Sequence, residues 1–488
     1  MTTETETTKA ERVSYNPKAI VAGLAIAGAM LALPAPEGLS PDGWRLAALV
    51  ALMAIWWVTE AIPVYATGLL PLVGFPLLDI ATIAAAAAPY ANPIIFLFLG
   101  GFLIAAAMQA TGLHQRIALH VLARTGTGSR QLVGGFMLTA AFLSMWVSNT
   151  ATAVMMVPIA MSVIAITVAD DGIHAPRGGL DVALLLAVAY GASIGGIATL
   201  IGTPPNAFLA GYMAQEHGLD IGFAQWMMFA LPLSLVMLAC CWLVLTRLAF
   251  RLDGRPIAGV AATLGRALDD LGPIRRPEKT VAVVFALAAL AWIAQPLIAT
   301  VIPNLSDTVI AILAALALFI VPAGGGKPAL NWEHASRVPY GLLLLFGGGL
   351  SLAAAFGSTG LALWLAGGLG AAAGLPAILV ILLIVATIVF LTELTSNIAT
   401  TAAMVPLLAG VAVGAGIHPL LLTAPAALAA SCAFMLPVAT PPNAVVFGAG
   451  HVTIPQMAKA GIWLNLLAIV VVTTMAYALL GWAFPLVG

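Results

Sequence analysis

Two polar patches, each set in the middle of a long apolar run, recur at one spacing and constrain this chain more than any other feature. The first is Ser148-Asn149-Thr150, within LSMWVSNTATAVMMVP (Leu143 to Pro158). The second is Ser396-Asn397-Ile398, within LTELTSNIATTAAMVP (Leu391 to Pro406). Asn397 follows Asn149 by 248 residues, and the same offset pairs Thr152 with Thr400 and Met156-Val157-Pro158 with Met404-Val405-Pro406. Upstream it pairs Gly100-Gly101 with Gly348-Gly349 and Thr111-Gly112-Leu113 with Thr359-Gly360-Leu361. A register kept over so long a stretch implies two halves built on one plan, each with one polar patch.

The length of the apolar runs then limits the fold. Residues 131–169 are apolar apart from the patch. As one helix they would reach nearly 60 Å at ~1.5 Å per residue, twice the ~30 Å hydrocarbon core. Two half-length helices meeting at Ser148-Asn149-Thr150 fit better, as a re-entrant hairpin whose tip lies near the midplane. Residues 374–413 repeat the pattern around Ser396-Asn397. A membrane solvent is implied by composition: 8% of residues are charged and 62% hydrophobic, against about 25% charged in soluble domains. The expected fold is an all-α polytopic membrane protein, since helices satisfy their own backbone groups in lipid.

Eleven crossing spans are predicted, near residues 19–33, 46–58, 65–87, 94–110, 181–212, 226–250, 281–300, 308–321, 341–356, 420–448 and 462–484, with the hairpins non-crossing. With the N-terminus cytoplasmic, 17 of the 18 Lys and Arg residues fall on the cytoplasmic side; Arg45 is the exception. That bias is the positive-inside rule. Asp170, Asp171 and Arg177 then return to the side the first hairpin left. The chain divides into 1–43 (cytoplasmic N-terminus and first span), 44–250 (first repeat, with hairpin 131–169), 251–279 (cytoplasmic linker) and 280–488 (second repeat, with hairpin 374–413). Five spans per repeat is an odd number, so the repeats have inverted topology, an arrangement typical of transporters with substrate at the midplane. The expected location is the cell inner (plasma) membrane, with no secretory leader, since MTTETETTKAERVSYNPK lacks an apolar h-region. Cys240, Cys241 and Cys432 lie in apolar segments and match no metal or disulfide spacing. No basic stripe points to nucleic acid.

Two further breaks interrupt apolar spans: Gly202-Thr203-Pro204-Pro205-Asn206 and Ala439-Thr440-Pro441-Pro442-Asn443. A broken helix exposes backbone groups, and such breaks persist where they line a cavity. Thr can cap the half-helix that follows, and Pro suits its first turn. The N–H groups and dipole of that half-helix make an anion site without Lys or Arg. The carbonyls ending the preceding half-helix, with Asn oxygens and hydroxyls, suit a hard monovalent cation such as Na⁺. Without cations a dianion at the midplane is poorly compensated, which is a physical reason for coupling. A lone Ser, Thr or Asn in a membrane helix is usually packing glue; recurrence in both repeats beside matching Thr-Pro-Pro-Asn breaks argues for a site. Gly100-Gly101 and Gly347-Gly348-Gly349 read as close helix packing. Glu60 and Glu393 stand out because acids in membrane segments are functional by default, although Glu60 can simply cap at the interface.

These motifs, with WWVTEAIPVYATGLLP (Trp56 to Pro71), resemble the divalent anion/sodium symporter (DASS) family of di- and tricarboxylate transporters over nearly the whole chain. The resemblance implies a homodimer in which a transport domain moves against a scaffold, elevator fashion, with Na⁺ as coupling ion and no organic cofactor. It implies one sodium site at Ser144, Ser148, Asn149 and the Gly202 carbonyl, and a second at Thr392, Thr395, Asn397 and the Ala439 carbonyl. Substrate carboxylates would meet Asn149, Thr150, Thr203, Pro204, Asn397, Thr440 and Pro441. Ile398 departs from the pattern, since dicarboxylate members commonly have Thr there; one hydroxyl donor is lost.

The leading expectation is a sodium-coupled symporter of di- or tricarboxylates such as succinate. The alternatives are a proton-coupled carrier, or an exchanger of dicarboxylate, sulfate or another anion. A more distant reading is an intramembrane serine hydrolase, because Gly191-Ala192-Ser193-Ile194-Gly195 matches G-x-S-x-G. That motif needs a strand–turn–helix context and a base; inside an apolar helix, close packing explains it better, and no enzyme is expected.

Overall fold

The computed structural model describes residues 15–169, 179–368 and 376–484. Lys9, Arg12, Asp170, Asp171, Arg177 and the first residues of the second hairpin lie outside them. Nearly every described element is a helix. The first segment carries α1 (Pro17–Ala32), α2 (Pro41–Val58), α3 (Val64–Thr67), α4 (Leu70–Leu77), α5 (Ile83–Ala87) and α6 (Pro93–Thr111). Local chemistry sets these ends: Asn16, Ser40, Thr82 and Asn92 cap α1, α2, α5 and α6 with side-chain oxygens, and Pro opens α1, α2 and α6.

The stretch 65–87, expected as one span, is instead a chain of short pieces. Pro63, Pro71 and Pro76 interrupt the helical ladder, and Glu60 and Asp79 adopt left-handed φ of 46° and 51°. The loop expected at 112–130 contains α7 (Leu113–Leu122), whose Leu113, Leu119 and Leu122 are buried.

The first hairpin is α8 (Ser129–Ser144) and α9 (Asn149–Ala169). The broken span that follows is α10 (Leu180–Ile197) and α11 (Pro204–His217). Then come α12 (Phe223–Leu243), which continues as a π-helical turn Val244–Ala249, and α13 (Val260–Asp270), a helix within the linker. In the second half α14 (Arg276–Ile298) and α15 (Asp307–Ile320) precede a two-stranded hairpin, Pro322–Gly324 with Lys327–Pro328. They are followed by α16 (Trp332–Ala335), α17 (Tyr340–Ser358) and α18 (Leu361–Gly368). The second hairpin is α19 (Ala377–Thr392) and α20 (Asn397–Gly414); the second broken span is α21 (Leu420–Ala430) and α22 (Pro441–Gly448), and α23 (Ile454–Ala483) follows.

Eight described helices are long and apolar enough to cross a membrane. Their outward faces suit hydrocarbon. On α14, Val283, Leu287, Leu290, Ile293 and Leu297 are all exposed, a row that water would penalise. At the other extreme α10 is buried along its entire length. Gly191 lets it lie on α8, because a Cβ there would sit 2.6 Å from the Met137 carbonyl oxygen; one on Gly195 would strike the Ala141 backbone. The G-x-S-x-G match is therefore a packing seam. The Ser193 hydroxyl between those glycines is buried and no base hydrogen-bonds to it. Gly100 likewise presses α6 onto α15, where a Cβ would lie 2.6 Å from that of Ala311.

Candidate functional site

Each of the four breaks is finished by side chains. In the first, the turn 145–148 separates α8 from α9, and Ser148 Oγ caps α9 by accepting from the Ala151 N–H at 3.3 Å. Ser144, the last residue of α8, hydrogen-bonds the Asn149 side-chain amide. In the third break Thr392 ends α19 and donates to Asn397 Oδ1 at 2.8 Å and stands 2.9 Å from the Ala430 carbonyl oxygen. Ser144 and Thr392 are one repeat offset apart, and each bonds its asparagine. Thr395 meets Thr400, hydroxyl to hydroxyl, at 2.6 Å.

The Thr-Pro-Pro-Asn breaks show a role that the sequence reading missed. Asn206 Nδ2 donates to the carbonyls of Gly196, Ile197 and Thr199, at 3.2, 3.0 and 2.8 Å. Asn443 Nδ2 donates to those of Ala433 and Leu436, at 3.2 and 3.0 Å. Asn206 thus satisfies orphan carbonyls at the end of α10 and just past it, and Asn443 those of the turn between α21 and α22. The repeated Asn was a visible signal, but the direction its NH₂ takes was not. Of the two threonines only Thr440 caps its helix, accepting from the Asn443 N–H at 3.3 Å; Thr203 makes no such bond.

Glu393 braces the fourth break. Its buried carboxylate accepts from the N–H groups of Phe434, Met435 and Leu436 and from Asn465 Nδ2, at 2.7 to 3.1 Å. The first repeat has Met145 at this position, so the two breaks are held differently.

All four breaks open into one cavity of about 1230 Å³. Its lining includes Asn149 and Thr150, Thr203 and Pro204, Asn397 and Ile398, and Thr440 and Pro441, one pair from each break. Ser148, Gly202, Thr395 and Ala439 also line it, while Ser144 and Thr392 stand behind their asparagines, buried. The half-helices α9, α11, α20 and α22 all begin at this cavity, so four positive dipole ends face it; α11 and α22 open with Pro-Pro, which has no N–H, so free N–H groups come from α9 and α20. Among the described residues Arg337 is the sole Lys or Arg in the lining; it lies at the rim with His334 and pairs with Glu333 at 2.7 Å. Glu60 also lines the cavity.

Asn149 ties the first break to the second. With its amide turned to satisfy its neighbours, its Nδ2 donates to the Gly202 carbonyl at 3.2 Å, to the Ala192 carbonyl at 3.3 Å and to Ser144 Oγ. Gly196 lies beside this amide: a Cβ there would lie 2.5 Å from it and 3.0 Å from the Gly202 carbonyl oxygen. Gly196→Ala would therefore have to displace the Asn149 side chain.

Comparison with known proteins follows the same lines. The sequence profile of the family described as "Sodium:sulfate symporter transmembrane region" matches residues 16–486. The sodium-dependent dicarboxylate transporter SdcS of Staphylococcus saprophyticus is 40% identical over 484 residues, covering 96% of this chain and 93% of that one. SdcS of Staphylococcus aureus strain USA300 is 42% identical over 453 residues, covering 91% and 87%. Among solved structures, the YdaH transporter of Alcanivorax borkumensis superposes with a TM-score of 0.60 at 17% identity, covering 92% of this chain and all of that one; this likeness speaks to fold alone.

Proposed function

Because this chain belongs to the family described as the sodium:sulfate symporter transmembrane region, we propose that it is a sodium-coupled carrier of dicarboxylates such as succinate. One observation carries the reading: four half-helix N-termini from two related halves meet in one cavity beside the side chains of Ser148, Asn149, Thr395 and Asn397. Two pairs of N-termini match a substrate with a carboxylate at each end. One cation is held by Ser144, Ser148, Asn149 and the Gly202 carbonyl, a second by Thr392, Thr395, Asn397 and the Ala439 carbonyl. The carboxylates meet Asn149, Thr150, Thr203, Pro204, Asn397, Thr440 and Pro441, with Ile398 as an apolar neighbour. The names of the SdcS relatives support both the ion and the cargo.

The finer architecture belongs to the same proposal. Residues 44–250 and 280–488 are inverted repeats, giving eleven spans and two re-entrant hairpins, with 251–279 as linker. The N-terminus is cytoplasmic by the positive-inside rule. The hairpins and broken spans form the moving body of an elevator, and the carrier is a homodimer. The rim at His334 and Arg337 follows the strand hairpin whose Gly324 lies against Arg276, at the linker end of α14, so the cavity opens toward the cytoplasm.

The test is uptake of radiolabelled succinate into proteoliposomes under an imposed Na⁺ gradient, with K⁺ as control. Uptake that requires Na⁺ supports the proposal. Uptake indifferent to Na⁺ but driven by internal dicarboxylate makes the protein an exchanger. Uptake of sulfate in place of succinate reassigns the cargo. Ile398→Thr restores a hydroxyl to the third break; a hydrogen bond is worth ~0.5–1.5 kcal/mol, so KM for succinate is expected to fall roughly two- to tenfold. A rise in KM would mean that Ile398 is itself a favourable contact.

A further inference from the structure

Trp146 lies in the tip of the first hairpin, between Ser144 and Asn149. It is buried, stacked on Phe223 at a centroid distance of 6.0 Å and parallel to Trp292 at 6.4 Å, with Phe285 edge-on at 5.0 Å. Phe223 and Trp292 stack on each other at 4.8 Å. Asp307 closes the cluster: its carboxylate accepts from the Phe223 N–H at 2.7 Å, and its carbonyl accepts from the Trp292 indole N–H at 3.0 Å.

The partners come from two different sets of elements. Trp146 and Phe223 belong to the hairpin tip and to the start of α12, which packs on α10 and α23. Phe285, Trp292 and Asp307 belong to α14 and α15, which contribute no described residue to the cavity lining. The Gly100 contact fastens α15 to α6. The cluster therefore joins the first hairpin, whose α9 lines the cavity, to α12, α14 and α15, none of whose described residues line it.

Its position is equally telling. α14 starts beside the linker and Trp292 lies toward its other end; α12 starts at Phe223 and ends next to the linker. The stack is thus at the end of the molecule away from the rim at His334 and Arg337. A short path runs from it to the site. The Gly202 N–H donates to Thr199 Oγ1 at 3.0 Å, the Thr199 hydroxyl donates to the Met145 carbonyl, and Met145 precedes Trp146. The Trp146 indole N–H has no hydrogen-bond partner. Phe223 adds its N–H bond to Asp307, whereas Trp146 is held by ring contact, so releasing Trp146 breaks no hydrogen bond of its ring.

We infer that the Trp146–Phe223–Trp292 stack with Asp307 is the latch that closes the far side of the cavity, and that ion occupancy at the Asn149–Gly202 break sets its strength through Met145 and Trp146. The inference rests on the carrier reading above, because an alternating carrier needs a far side that closes and reopens. A coupling claim requires a two-state element that both sites bias; the stack is that element. Trp146 acts here as a positioning residue, through the turn that carries Ser148.

The experiment places spin labels at Asp220→Cys and Asn304→Cys, both exposed, in the full chain with Cys240, Cys241 and Cys432 replaced. The distance distribution between them is recorded with and without Na⁺. The unmodified latch is expected to give one dominant distance whose share changes with Na⁺. Trp146→Ala removes two stacked pairs and one edge contact, and is expected to shift the population ratio about tenfold and to blunt its response to Na⁺. Trp146→Phe, which keeps a ring in place, is expected to restore most of both. A Trp146→Ala distribution identical to wild type, or one that responds to Na⁺ as strongly, overturns the inference. Trp292→Leu, outside the cavity lining, carries the same expectations should Trp146→Ala fail to fold. A Na⁺-dependent distance in a protein that does not take up succinate would count against the proposed cargo and leave the latch standing.

Discussion

Asn149→Ala is expected to raise the half-saturating Na⁺ concentration by roughly 10- to 100-fold, and Asn149→Ala with Asn397→Ala to abolish sodium-dependent uptake. The argument is geometric. The Asn149 side chain is the group on which Ser144, the Gly202 carbonyl and the Ala192 carbonyl converge. In the proposed sodium site its removal deletes one ligand. A hydrogen bond to a charged group contributes ~1.5–3 kcal/mol, and each 1.4 kcal/mol is tenfold in an equilibrium constant. Asn397 stands in the same relation to Thr392. The fold should survive, because Asn206 and Asn443 still hold the carbonyls of Ile197 and Leu436 at the two broken spans. Thermal unfolding in detergent checks that. A double variant that transports with ordinary sodium dependence would place the ions elsewhere.

Arg116→Ala is expected to cost about 3–5 kcal/mol, the largest stability effect of any single change considered, out of a total near 5–15 kcal/mol. Arg116 is a buried junction. Its guanidinium donates to both Glu278 carboxylate oxygens and to the carbonyls of Leu271 and Gly272, at 2.9 to 3.3 Å. One side chain thereby fastens α7 to the end of α13 and to the first turn of α14. Glu278 is 1% exposed. Without Arg116 it keeps only the more exposed Arg275, 3.7 Å away, as an ion-pair partner. The large cost is that of a stranded buried charge. Replacing both partners, as in Arg116→Met with Glu278→Leu, should therefore recover most of the loss. Unfolding of the two single variants and the double measures the coupling directly. A double variant no better than Arg116→Ala would mean that the carbonyl contacts, and not the ion pair, hold the junction.

Much of this arrangement could be read from the chain because polar residues are conspicuous in an apolar run. Ser148-Asn149 and Ser396-Asn397 sit where the structure turns, and both hairpins follow from a run too long for one crossing. The pairing of breaks followed from the repeat offset. What escaped was of two kinds. Short helices lying beside the spans escaped: α7 and α13 carry few residues and mixed polarity, and α18, though apolar, is only eight residues long. The stretch 65–87 was apolar enough for a span, and only the spacing of its prolines argued otherwise. The other omission concerned direction. Nothing in Thr-Pro-Pro-Asn says that Asn206 turns its NH₂ back onto α10, or that Glu393 reaches the N–H groups of residues 434–436, because both bonds depend on how two chain segments approach.

The self-capped breaks have a consequence for the return half of a transport cycle. Asn206 and Asn443 supply, from within the chain, partners for carbonyls that would otherwise look to water or to a ligand. In the elevator proposed above, an empty carrier would take these interruptions across the bilayer with those carbonyls already partnered, so emptiness would be no structural obstacle to movement. Discrimination between permitted and forbidden crossings would then have to come from the charge balance of whatever is bound.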